Sequence, residues 1–252
     1  MYSSRGRKNE YIGEYMSEDE RPSHLVPKAK QAKRIKEVRM AVLKFLYFER
    51  YTTVQVIQNL VGYKSYQGTN ALLRKMEATG HIKRHRLSNF GGQGFSVWGI
   101  TAKGCAAIYD SEEMPFKRTR GFDTQKVYLA TLDHLKETQL LKCRIINSDR
   151  DISLKYINPN LWEHTKPDIL AKLNDDDGEY TLITYQIELY LKSEKRYRDI
   201  MGDYIPNIER GKCEFIFWCT PDEKTRDKLS NLFSRNGVSE HHNFRTIAEL
   251  KL

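Results

Sequence analysis

The chain has no apolar run approaching the roughly 18 residues that a membrane-spanning helix needs, so no membrane insertion is expected. Its opening stretch, residues 1–15, has no apolar core of a secretory signal. Its four cysteines, Cys105, Cys143, Cys213 and Cys219, are scattered and form no Cys-x-x-Cys pair. Neither a zinc site nor a disulfide framework is suggested, and buried or free thiols in a reducing cytoplasm are expected. Histidine is equally sparse in pattern. The one adjacent pair, His241-His242, has no third histidine at ligand spacing, which argues against a tyrosine nucleophile beside a histidine-held metal. No internal repeat or low-complexity run is present.

What is present is positive charge, unevenly placed. Residues 1–120 hold 22 Lys+Arg against 11 Asp+Glu, whereas residues 121–252 hold 20 against 22. A basic half joined to a near-neutral half is a common footprint of nucleic-acid binding, although a merely solvated surface has the same composition. At 252 residues the chain can build one large domain or two modest ones.

Residues 1–25 are polar and aperiodic and read as a mobile arm. From Val26 to about Arg50, apolar residues recur at helical spacing. Thr52-Thr53 caps a second short helix, Val54–Leu60, which Gly62 ends. A third helix covers Ser65–Thr79, with Ala71, Leu72, Leu73 and Met76 on its buried side, and Gly80 closes it. Two short strands around a Gly-rich turn follow, then a small helix from Thr101 to Tyr109. This is the order of a winged helix-turn-helix over residues 26–110, and residues 111–122, with Pro115, read as a linker. Residues 123–252 predict α-β-β-β-α-β-α: a helix at 124–138, strands at 142–147, 167–173 and 180–191, a helix from Ser193 to about Pro206, a strand at 213–219 and a helix at 222–235. The class is a two-domain α+β or α/β chain.

In a helix-turn-helix the start of the second helix reaches base edges in the major groove. Here that start is Lys64, Ser65, Tyr66, Gln67, Gly68, Thr69 and Asn70, with Arg74 and Lys75 one turn on to clamp phosphates. Lys83, Arg84 and Arg86 on the hairpin, and Gln93 near its tip, would add backbone contacts. The competing reading is a small helical bundle with solvated charges, or a winged helix used for protein contacts.

In the second half two carboxylates stand out. In the strand Tyr180–Leu191, Ile183, Tyr185, Ile187, Leu189 and Leu191 share one face, and Gln186, Glu188 and Tyr190 share the other. A carboxylate within so apolar a strand is costly unless paired or metal-bound. Asp168 leads into Ile169-Leu170 after Lys166-Pro167. The turn Asn174-Asp-Asp-Asp-Gly makes the two strands a hairpin, so Asp168 and Glu188 can face each other and share a hard cation. Glu188 could instead pair with Lys166 or Arg198. Asp175–Asp177 read as a solvated turn.

The Pro-Asp strand start, the acidic residue on the next strand and the α-β-β-β-α-β order resemble the PD-(D/E)-x-K nuclease superfamily, the restriction-endonuclease-like fold. That resemblance implies that Asp168 and Glu188 bind Mg²⁺ (or Mn²⁺). The stretch Gln186-Ile-Glu-Leu-Tyr-Leu-Lys-Ser-Glu-Lys-Arg-Tyr-Arg-Asp-Ile-Met-Gly-Asp-Tyr, behind a winged helix, is similar to MOBC-type relaxases of mobilisable plasmids and the replication-relaxation proteins. It implies site- and strand-specific nicking of double-stranded DNA at a plasmid origin of transfer, with accessory relaxosome and coupling proteins as partners. Two positions after Glu188 stands Tyr190, where the family pattern has lysine. Either Gln186 and Glu188 fill the two motif positions, or the lysine has moved to Lys192 or Lys195. In a straight strand the Cα of Lys192 would lie about 13 Å from that of Glu188, so Lys192 serves only if the chain turns at once. The alternatives are a non-catalytic winged-helix regulator or plasmid replication factor, and a restriction or repair endonuclease.

Overall fold

A computed structural model describes residues 28–88, 94–110, 114–127, 129–157, 162, 165–175, 177–237 and 241–250. Four expected features therefore lie wholly or partly outside the described residues: the arm at 1–25, the hairpin tip with Gln93, the start of the 111–122 segment, and Asp176. The chain is a mixed α/β protein with seven α-helices and two sheets among the described residues. It divides into two compact units, with the division after Cys143. No described helix is long and apolar enough to cross a membrane.

The first unit opens with α1 (Lys28–Glu49), the two-residue strand β1 (Tyr51–Thr52), α2 (Val54–Val61) and α3 (Tyr66–Ala78). The boundaries follow side-chain chemistry. Thr53 caps α2 by accepting from the Val56 N–H, Ser65 caps α3 by accepting from Gly68, and Gly62 ends α2 at φ 66°. The hairpin β2 (Ile82–Ser88) and β3 (Gly94–Ile100) follows, then α4 (Ala102–Tyr109), with sheet order β1-β3-β2. The helices and sheet bury Leu46, Tyr47, Ile57, Leu73, Met76, Trp98 and Ile100.

The segment expected as a linker belongs to this unit from residue 114 onward. The Tyr47 hydroxyl donates to the Phe116 carbonyl and accepts from the Arg118 N–H, and the Arg50 guanidinium donates to the carbonyls of Arg120 and Gly121. Phe122 packs against Tyr51 and His85. Two short 3-10 turns at 124–126 and 129–131 lead into α5 (Leu132–Ile146), later than the expected helix at 124–138. The strand expected at 142–147 is the end of this helix. Its apolar alternation suits a short strand, but helical spacing explains the contacts: Gln139 binds Thr52 and Tyr51, and four residues on, Cys143 donates to the Val56 carbonyl.

The second unit carries β4 (Ile152–Lys155), β5 (Ile169–Asn174), β6 (Tyr180–Ile187), α6 (Glu194–Glu209), β7 (Phe215–Thr220), α7 (Glu223–Arg235) and β8 (His242–Thr246). Its sheet runs β4-β5-β6-β7-β8, antiparallel through β6 and parallel beyond it. The parallel β6-to-β7 step needs a crossover, which α6 supplies. Tyr197, Ile200, Met201 and Tyr204 of α6 pack with Trp218 of β7 and with Leu229 and Phe233 of α7. α6 runs through Pro206 to Glu209, past its expected end. The backbone bond that proline lacks would have gone to the carbonyl of exposed Gly202, which solvent can satisfy. Strand β8 was not expected, because its buried residues His242 and Thr246 are polar.

Candidate functional site

Strand β6 stops at Ile187, not at Leu191, and this early stop builds the site. Ile183, Tyr185 and Ile187 are buried on one face, as the alternation predicts. On the other face Gln186 and Glu188 meet α6. The Tyr204 hydroxyl donates to Gln186 Oε1 at 3.0 Å, and the Tyr197 hydroxyl donates to Glu188 Oε2 at 3.2 Å. Tyr197 and Tyr204 are seven residues apart, so they lie two turns apart on one side of the helix. The Glu188 N–H still bonds to the Cys219 carbonyl at 2.9 Å, and beyond it the chain bends away. Ser193 then caps α6, accepting from the Arg196 N–H.

The bend returns Lys192 to Glu188. Its ammonium donates to both carboxylate oxygens, and its backbone N–H donates to the Tyr197 hydroxyl. The immediate turn that a role for Lys192 requires is therefore present. Lys195 is exposed on the first turn of α6, and the ion pair of Glu188 is with Lys192 rather than with Lys166 or Arg198.

Asp168 stands one residue before β5. Its N–H donates to the Tyr185 carbonyl at 3.1 Å, and its Oδ2 accepts from the Ile187 N–H at 2.8 Å. The carboxylate thus reaches the peptide that leads into Glu188. A third carboxylate, Asp203 of α6, accepts from Thr165 Oγ1, three residues ahead of Asp168.

Glu188 is 1% exposed. Burial pushes its carboxyl above the ordinary carboxylate range. Lys192 and the Tyr197 hydroxyl pull it back, and the negative charge of Asp168 raises it further. Burial also pushes the Tyr197 and Tyr204 phenols up, so both stay protonated and act as donors. Among the described residues no three His, Cys, Asp or Glu side chains gather as a metal-ligand group. Two carboxylates at one strand end still fit Mg²⁺, which commonly takes one or two protein carboxylates and fills its other positions with water and substrate phosphate.

The remaining expected positions divide. In the first unit Lys64, Ser65, Tyr66, Gln67, Arg74, Lys75, Lys83, Arg84 and Arg86 are exposed, and Asn70 is half-buried. Thr69 is 0% exposed and donates to the Ser65 carbonyl, so it packs the helix start and cannot reach a partner. Thr69 lies three, four and seven residues before Leu72, Leu73 and Met76, on the buried face of α3. Ala71, expected on the buried side of α3, is instead exposed, while Leu72, Leu73 and Met76 are buried as expected. Asp175 and Asp177 are exposed in a turn with Gly178 at φ 86°, as read. His242 is buried and accepts from the Trp218 indole, while His241 faces the Glu214 carbonyl. All four cysteines are buried and free.

Tyr197 and Tyr204 were not among the site residues expected from the sequence. Their seven-residue spacing, set against the two-residue spacing of Gln186 on β6 and Glu188 just past its end, is the signal that could have found them. No protein-family model, curated protein or solved structure matches the chain.

Proposed function

We propose that the chain is a metal-dependent DNA endonuclease of the nicking, relaxase type, with a winged-helix reader in the first unit and a restriction-endonuclease-like cutting site in the second. The observation that carries this reading is the buried Glu188 carboxylate beside Asp168, with Lys192 turned back onto it. A motif lysine absent from its usual place is thereby supplied from four residues along. The order β4-β5-β6-α6-β7 within the second unit also supports it, although the helix expected to open that domain packs on the first unit.

Asp168 and Glu188 would hold Mg²⁺, which when bound polarises a phosphate oxygen and lowers the pKa of a coordinated water. The chain's own residues do the rest. The Ile187 N–H fixes the rotamer of Asp168. The Tyr197 hydroxyl fixes Glu188 and also anchors the backbone of Lys192. The Lys192 ammonium, partly exposed while Glu188 is not, would be the group that meets a scissile phosphate or orients its water. Tyr204 holds Gln186 in place. In the first unit, Tyr66, Gln67, Arg74 and Lys75 on α3 would meet a groove, with Lys83, Arg84 and Arg86 on phosphates.

A supercoiled plasmid carrying the DNA around the chain's own coding sequence tests this. With Mg²⁺ or Mn²⁺ the expected product is open-circular plasmid, and with chelator none. Linear product at the first cut would point to a double-strand endonuclease instead.

One observation favours a second reading, a DNA-binding regulator without activity. Glu188 is already neutralised by Lys192, which is how a purely structural buried ion pair looks. Mn²⁺ titration followed by paramagnetic resonance separates the two. One bound ion per wild-type chain, lost in Asp168→Ala, fits the nuclease. Equal weak binding to both proteins fits the regulator.

A further inference from the structure

The bend that returns Lys192 to Glu188 leaves two apolar residues outside. Tyr190 is 77% exposed and Leu191 is 41% exposed. Tyr190 lies two residues from Glu188 and two from Lys192, on a segment tied at both ends. One tie is the Glu188 N–H on Cys219, and the other is the Lys192 N–H on Tyr197. An aromatic ring held out to solvent on a pinned bend gains nothing for the fold. Its surroundings are cationic: Lys192, Lys195, Arg196 and Arg198 are exposed just after it, and Lys166 is exposed two residues ahead of Asp168. Against these five cations stand the exposed acids Glu194 and Asp199 together with Asp168 and Glu188, the last paired with Lys192, so the neighbourhood keeps one net positive charge.

An exposed ring on a backbone bend among cations suits a strand of nucleic acid whose bases are unpaired. The phosphates meet the ammonium and guanidinium groups, and a base face stacks on the aromatic ring. Duplex DNA offers no such face, because its bases are already stacked on one another. We propose that Tyr190 is a stacking platform for an unpaired base at the mouth of the Asp168–Glu188 site, so that the second unit takes locally melted, single-stranded DNA. This rests on the nuclease reading for the identity of the substrate. It assigns to the second unit a preference for the unpaired strand, apart from any duplex recognition by the first.

The test is fluorescence anisotropy with full-length chain and a labelled thymidine oligonucleotide of about twelve nucleotides, run in chelator so that cutting plays no part. Wild type, Tyr190→Phe, Tyr190→Leu and Tyr190→Ala are compared, with a duplex of equal length alongside. Tyr190 is exposed, so all four proteins should melt alike, and a circular-dichroism melt checks this. The expected result is a roughly tenfold loss of single-strand affinity in Tyr190→Ala and Tyr190→Leu, with Tyr190→Phe near wild type and duplex affinity unchanged in all. Wild-type affinity in Tyr190→Ala overturns the proposal. So does full affinity in Tyr190→Leu, which would mean an apolar contact without stacking. If the nuclease reading alone fails, single-strand binding keeps this dependence on Tyr190 while the plasmid stays uncut in Mg²⁺. If the stacking proposal alone fails, cutting survives in Tyr190→Ala.

Discussion

Glu188 carries its charge where charge is costly, and this has a pH signature. Its folded-state pKa is raised, by burial first, so the folded chain holds that proton more tightly than the unfolded chain does. The associated stability is fully present below the ordinary carboxylate pKa and is lost as pH rises through the raised value. Glu188→Gln should therefore gain thermal stability relative to wild type as pH rises from about 4 to 8, and show no such gain at the acid end. Paired melts across that range check it; a constant difference would contradict the burial account. His242 has the opposite sign. Its Nδ1 accepts from Trp218, its Nε2 is buried without a hydrogen-bond partner among the described residues, and burial, then His241, lowers its pKa to about 4. Its contribution is present above pH 6.5, the ordinary histidine value, and lost as pH falls toward 4. The difference between the ordinary value and about 4 corresponds to on the order of 3 kcal/mol. Urea unfolding should show that acid-side loss in wild type and much less of it in His242→Gln.

Among the elements, β3 gives the sharpest packing test. A Cβ at Gly99 would lie 2.2 Å from Phe122 Cδ1, because the Phe122 ring lies directly on the strand backbone. Gly99→Ala should destabilise the first unit by about 1–3 kcal/mol, and Phe122→Ala in the same chain should recover part of it. Additive losses in the double mutant would remove the contact from the account. Much of the element layout was legible in the sequence, since Thr53, Gly62, Ser65, Gly80 and Thr101 mark boundaries by capping and turn chemistry that acts locally. The alternation in β6 likewise exposed Glu188. Besides the short strand β4, which the sequence did not mark, three things were not legible. The helix at 132–146 reads as a strand at its end, because Leu141, Cys143 and Ile145 alternate and the helical logic depends on Tyr51, Thr52 and Val56, far away in sequence. Strand β8 buries polar residues. The stop of β6 at Ile187 depends on α6 crossing back over the sheet, and Leu189 and Leu191 continue the apolar alternation past it. For that reason the role of Lys192 could be posed from the sequence and answered only by the fold.

For the whole molecule, the division after Cys143 moves the boundary some twenty residues beyond the expected linker. It also sharpens the charge contrast. Residues 28–143 hold 21 Lys+Arg against 9 Asp+Glu, and residues 144–252 hold 17 against 19. A fragment of residues 28–143 should unfold cooperatively on heating, whereas residues 28–110 should not, having lost the partners of Tyr47, Arg50 and Thr52. Equal cooperativity in both fragments would restore the expected linker. The longer fragment should also bind duplex DNA, with affinity falling steeply with salt. The measurement that bears most directly on the central claim is a supercoiled-plasmid assay in Mg²⁺ comparing wild type, Asp168→Asn, Glu188→Gln and Lys192→Met. The account predicts open-circular product from wild type, a loss of at least about a hundredfold in each variant, and DNA binding retained in all four. Wild-type nicking by both Asp168→Asn and Glu188→Gln would contradict it.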